Sequence, residues 1–166
     1  MALALPYFAK SGLVPEGPHP ELRSWIEKVI ALLVPYVDRL DQLTDKARLF
    51  FEYDAHRAVF TEDNQPLLTS DIGRKVISAF QSAVHTSSNG FSAESFKAVI
   101  NRVKEETGAK GKDLFHPIRI VITGSHSGPD FDRVIPLIET GSRLELPRHV
   151  LSVRERAEAF QKAWGR

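Results

Sequence analysis

An all-α fold is predicted for this chain by three observations. Apolar residues recur at three- and four-residue spacings in successive segments, the period of a helix with one buried face. Clusters of Pro, Gly, Ser and Asp with capping chemistry separate those segments. The one β-branched run, Ile118 to Thr123, has no convincing second strand to pair with.

The opening residues Ala2 to Ala9 are apolar and helix-compatible, and Gly12, Pro15, Gly17, Pro18 and Pro20 break the chain after them. A helix this short is marginal alone, so residues 1–20 read as a tail and linker lying on a larger body. From Glu21, the positions Leu22, Trp25, Ile26, Val29, Ile30, Leu33 and Val37 form an amphipathic helix, with a kink or split expected near Val34 because Pro35 removes a backbone bond. Asp41 or Thr44 caps a following helix that runs through Asp54 with an aromatic, core-like end at Phe50, Phe51 and Tyr53. Residues 61–71 are polar and read as a turn. This is the soft boundary between two helical units, 21–65 and 66–166.

In the second unit, Ser70 or Asp71 caps a helix from Ile72 to His85, and Ser87 to Gly90 forms a break. Ser92 introduces a helix from Ser95 to Val103. For Ile118 to Thr123, composition favours a buried strand and pairing favours a short buried helix with Pro117 at its first position; the pairing argument is preferred. Pro129 starts a helix ending at Gly141, and Ser152 with Glu155 three residues on starts the last helix, to Trp164.

With 166 residues, of which 42% are apolar, the chain suits one globular domain or two small ones sharing a core. The absence of cysteine excludes disulfides, thiolate metal sites and cysteine nucleophiles, and makes a cytoplasmic protein the expectation. No apolar run is long enough for a membrane span. The net charge of +1 decides nothing about polyanions, whose binding needs only a local basic face.

The six histidines lie on different segments without ligand spacing, so no metal site is expected. Gly124-Ser125-His126-Ser127-Gly128 has His where a nucleophile elbow needs Ser, and it lacks the Lys and Ser or Thr of a phosphate-binding loop. No catalytic residue is predicted. What remains is a basic cluster between Lys97 and Arg119, with Lys97, Arg102, Lys104, Lys110, Lys112 and Arg119 against Glu105, Glu106 and Asp113. It is either a solvated helix end or a nucleic-acid surface.

The run from Gly108 through Lys110, Lys112, Leu114, Pro117, Ile118 and Arg119 to Thr123-Gly124 resembles the pattern G-x-K-x-x-x-L-x-x-P-[LI]-R-x-A-[LV]-T-G of the C-terminal anticodon-binding part of bacterial glutamyl-tRNA synthetases. Ser125 to Phe131 and Leu43 to Tyr53 also fit, and the resemblance extends from about Leu22. It implies an all-helical anticodon-binding cage built of the two helical units. It implies tRNA as partner, and a separate catalytic half that uses ATP, since this chain carries neither of that half's signatures. Carried over by position, Arg119 contacts a base or phosphate, Gly128, Pro129 and Phe131 form a wall for splayed bases, and Thr123 and Ser125 add hydroxyl contacts. Lys110 and Lys112 belong to the same tRNA-facing cluster.

One departure concerns the third anticodon base. Where the family has arginine in an L-x-x-R-x-x-x-L helix, this chain has Tyr36 after Pro35, with Arg39 the nearest basic residue. The expected partners therefore include the glutamine-type anticodon beside the glutamate type. The competing reading is a helical protein-interaction module that has lost RNA binding.

Overall fold

The computed structural model describes residues 3–88 and 90–165. Met1 and Ala2 of the opening stretch, Asn89 in the Ser87 to Gly90 break, and Arg166 lie outside the described residues. Among those described there are ten α-helices, two 3-10 turns and no strand.

Among the described residues, the helices begin with α1 (Leu5–Lys10) and α2 (Pro20–Leu33). The His19 side chain accepts from the Leu22 amide and Pro20 occupies the first turn of α2, where its missing N–H is harmless. Pro35 ends α2 in a 3-10 turn, Val34–Tyr36, the split expected near Val34. In α3 (Gln42–Phe51) neither expected cap acts as one: the Asp41 carboxylate is held by Arg39, and Thr44 lies inside the helix. The helix stops at Phe51 and not at Asp54. Asp54 instead accepts from the Arg57 amide and starts α4 (Ala55–Phe60). The polar stretch read as a turn contains a 3-10 turn, Glu62–Asn64, and α5 (Gln65–Thr69), with Pro66 in its first turn.

Capping chemistry fixes three of the remaining helices. Ser70 caps α6 (Asp71–Thr86), Ser92 and Ser95 form a capping box on α7 (Ala93–Thr107), and Ser152 with Glu155 forms one on α10 (Val153–Trp164). The run Ile118 to Thr123 is helical, as pairing required. The expectation for Pro117 fails: α8 (Lys112–Thr123) begins before it, and the proline is buried in the helix interior. Its position one turn beyond the helix start removes a single backbone bond, and Leu114, Ile118, Val121 and Ile122 anchor the helix in the core around it. Pro129 does not begin α9 (Phe131–Ser142), which starts after Asp130 and contains Pro136.

Gly141 is also corrected, since it lies within α9 and does not terminate it. It is needed for close approach: a Cβ there would come within 2.4 Å of Trp25 Cζ2. Trp25 stacks edge-on against Phe50 and Phe51 of α3 and donates from Nε1 to the Leu137 carbonyl of α9 at 2.8 Å. The buried apolar residues form one continuous cluster from Ala4 to Phe160. Within it α6 packs on α7 and α8, and α10 packs on α4.

Candidate nucleic-acid interface

The turn after α2, the α3–α4 segment and the loop after α8 surround a groove of about 770 Å³. Tyr36, exposed at 49%, comes from the first wall, and Thr123, Ser125, Gly128 and Pro129 come from the last. Two buried polar residues hold these walls together. Asn64 Nδ2 donates to the Ala58 carbonyl of α4 at 2.8 Å and to the Gly124 carbonyl at 3.0 Å. Arg156 of α10 donates to the carbonyls of Leu49 and Phe50 at the end of α3 and of Ile122 at the end of α8, over 2.6 to 3.0 Å. These are the C-terminal carbonyls that lack partners within their helices, and a cation there also opposes the negative helix ends. Burial pushes the Arg156 guanidinium down to about 10, against the opposing pull of Tyr53, Glu139 and Glu155.

Arg119, half-buried, faces the loop from α8. It donates to the Pro129 carbonyl and lies 4.4 Å from the centroid of the Phe131 ring, a cation–π contact. Burial lowers its pKa from the ordinary value, while Asp130 and Tyr36 oppose that shift. Phe131 is itself buried, edge-on to Phe96 and beside Phe115. The Thr123 hydroxyl donates back to the Arg119 carbonyl at 3.0 Å and accepts from the Ser125 amide, so it shapes the loop. No ion pair joins Arg119 to Asp113, Asp130 or Asp132 among the described residues.

The remaining candidates are dispersed. Lys112 lies near Arg119 in an adjoining pocket, whereas Lys110 lies with Asn101, Lys104 and Glu105 at a separate one. Arg39 is exposed, does not line the groove, and is paired with Asp41. Sequence reasoning missed Lys46, Arg57 and Asn64 as groove residues. Lys46 and Arg57 carry no ion pair among the described residues, while Arg48 is held by Asp45 and Glu52. The groove also contains Asp54 and Asp63, so its charge is mixed. Mixed charge of this kind offers directional donors and acceptors and exerts little bulk attraction on a polyanion.

The sequence matches the family described as "Anticodon binding domain" over residues 1–145. The chain belongs to that family. Among its relatives, a glutamate–tRNA ligase of Desulforamulus reducens is 30% identical over 146 residues, covering 86% of this chain and 30% of the relative. A glutamate–tRNA ligase of Listeria welshimeri is 35% identical over 136 residues, covering 82% of this chain and 27% of the relative. "Glutamate–tRNA ligase 1" of Caldicellulosiruptor saccharolyticus is 26% identical over a stretch of the same length. No solved structure matches. This anticodon-binding domain thus spans less than a third of the length of those ligases and is homologous to their C-terminal quarter. No helix among its described residues is long and apolar enough to cross a membrane.

Proposed function

We propose that this domain reads the anticodon of glutamate-type tRNA for a cytoplasmic glutamate–tRNA ligase whose catalytic half, with its ATP site, lies outside residues 1–166. The observation that carries this reading is the meeting of Tyr36 with Thr123, Ser125, Gly128 and Pro129 around one groove, from segments far apart in sequence. Within the proposal, residues 21–65 supply the Tyr36 wall and residues 66–166 the loop wall, with 1–20 as linker.

Arg119, which lines the adjoining pocket and reaches the groove wall at Pro129, is the main reader. One of its terminal nitrogens is occupied by the Pro129 carbonyl, which leaves the other donors of the guanidinium fork for a base or phosphate. Phe131 acts from beneath by holding that fork flat. Tyr36 offers an exposed ring on which an unstacked base can lie, and the Gly128-Pro129 backbone limits the shape of the base opposite. Ser125 adds a hydroxyl contact, and Lys110 and Lys112 approach phosphates. Thr123 positions the loop through its hydroxyl.

Titration of the chain with glutamate tRNA at about 50 and about 200 mM salt tests this function. Phosphate contacts predict an affinity that falls with salt, by a slope near one per neutralised phosphate. Absence of binding at both concentrations contradicts it.

A further inference from the structure

The loop that closes the anticodon groove also borders a second pocket, of about 360 Å³, whose other wall is the outer face of α8. Lys112, His116 and Arg119 follow one another there at four- and three-residue steps, which places them on one helix face. His126 enters from the loop, with its ring centroid 5.4 Å from that of His116. No carboxylate lines the pocket among the described residues. The acidic group acting on Arg119 is Asp130, and Asp113 lies exposed on α8 outside the lining. Four cationic or protonatable side chains therefore share a space without a counter-charge.

Two further features suit an anion. The N-terminus of α8 borders the pocket at Gly111, which has φ +59°, provides no side-chain cap, and would leave an added Cβ with no neighbour within 4 Å. A helix N-terminus so exposed adds partial positive charge. His126 Nδ1 is buried and has no hydrogen-bond partner. Burial first, and then His126, Lys112 and Arg119, hold the His116 pKa below its ordinary value. An arriving anion reverses the last three effects.

We propose that this pocket binds a phosphate group of the RNA backbone through Lys112, His116, Arg119 and His126, and that binding tightens as His116 takes up a proton. The identity of the ligand rests on the anticodon reading above. Because His126, Ser127 and Gly128 line both spaces and Arg119 bonds to Pro129 of the groove wall, a strand whose base occupies the groove brings a neighbouring phosphodiester to the pocket. Phe115, exposed at 40% on the pocket wall, offers a face to the attached base.

The sign follows from linkage. The bound phosphate raises the His116 pKa, so affinity rises as pH falls through the bound value and levels off below the free one. Each pKa unit of that increase is about a tenfold gain in affinity. The test measures binding of a glutamate anticodon stem-loop between about pH 7.5 and about pH 5.5, a range the phosphodiester itself does not titrate in. The wild-type chain is compared with His116→Gln/His126→Gln, whose fold is checked by its urea midpoint. In parallel, sulfate is titrated at about pH 6 against chloride of equal ionic strength, read by the imidazole proton resonances.

The expected result is tightening by about tenfold or more toward acid in the wild type, a flat profile in the double variant, and sulfate-specific shifts of both imidazoles. An equal pH dependence in the two proteins overturns the pocket and leaves anticodon binding intact. A chain that binds no RNA fails the anticodon reading instead. The sulfate response then decides the pocket by itself: shifts of His116 and His126 uphold an anion site, and chloride-like behaviour overturns it.

Discussion

Arg156 lies with its guanidinium 5.1 Å from the centroid of the Tyr53 ring, and the two side chains hold adjacent carbonyls at the end of one helix. Tyr53 donates its hydroxyl to Val121 at 2.6 Å while Arg156 donates to Ile122 at 2.9 Å. Tyr53 follows α3 and Arg156 sits on α10, so the pair fixes the end of α8, and with it the start of the loop that follows, against both. Burial raises the Tyr53 pKa, so the phenol stays a donor throughout the neutral range.

Arg156→Ala therefore strips a bonded cation from four carbonyls, those of Leu49, Phe50, Ile122 and Leu151. The expected destabilisation is about 3 to 5 kcal/mol, the range for breaking a buried charged network. Tyr53→Phe removes one bond and should cost about 1 kcal/mol. Urea unfolding measures both, and equal losses would contradict the assignment of Arg156 as the hub.

Arg119→Ala should weaken binding of the anticodon stem-loop by about 1 to 3 kcal/mol. Arg119→Lys keeps the charge but loses the planar fork, and should recover less than half of that loss. Isothermal titration checks both variants. If stability falls while RNA binding stays constant, the Pro129 and Phe131 contacts are the whole role of Arg119.

Gly141→Ala forces a methyl group into the Trp25 ring. Overpacking of this kind costs about 1 to 3 kcal/mol, and here the indole is tied to the same helix by its Nε1 bond to the Leu137 carbonyl. A urea midpoint equal to that of the wild type would mean that α2 and α9 separate without penalty.

The pH dependence of stability should show His116. Its folded pKa is depressed, by burial first and then by His126, Lys112 and Arg119, whereas the unfolded value is near 6.5. As pH falls below that value the unfolded chain binds the proton first, so stability declines until the folded pKa is passed. His116→Gln should flatten this part of the profile. Urea midpoints on both sides of the window provide the check.

Discrimination between glutamate and glutamine anticodons, which differ at the third base, should be weak. A tyrosine ring at position 36 stacks on either base, whereas an arginine there would present directional donors. Affinities for the two stem-loops are expected within about 1 kcal/mol, with Tyr36→Arg increasing the difference. A strong glutamate preference lost only in Arg39→Ala would transfer the role to Arg39, released from Asp41.

Much of the fold was legible because its determinants are local. Ser70, Ser92 and Ser152 declare helix starts through side chains that reach only three residues ahead, and Pro35 splits α2 where its ring must. The helical state of Ile118 to Thr123 followed from the lack of a pairing strand. Less legible were α4 and α5, whose 6 and 5 residues are too few to establish a helical period. The burial of Arg156 depends on carbonyls from distant segments; its place three residues after Val153 and one before Ala157, on the apolar stripe, was the available signal. The loop after Thr123 was singled out by resemblance, but the meeting of His116 with His126 was not legible, because tertiary packing alone joins them.

The central claim is that the groove reads anticodon bases. Its most direct test is the affinity of the chain for a glutamate anticodon stem-loop compared with the same stem-loop carrying three adenines in the anticodon. Base contacts by Arg119 and the loop predict a preference of at least about tenfold, the value of one good directional contact. Equal affinity for the two stem-loops, with the same salt dependence, would contradict it.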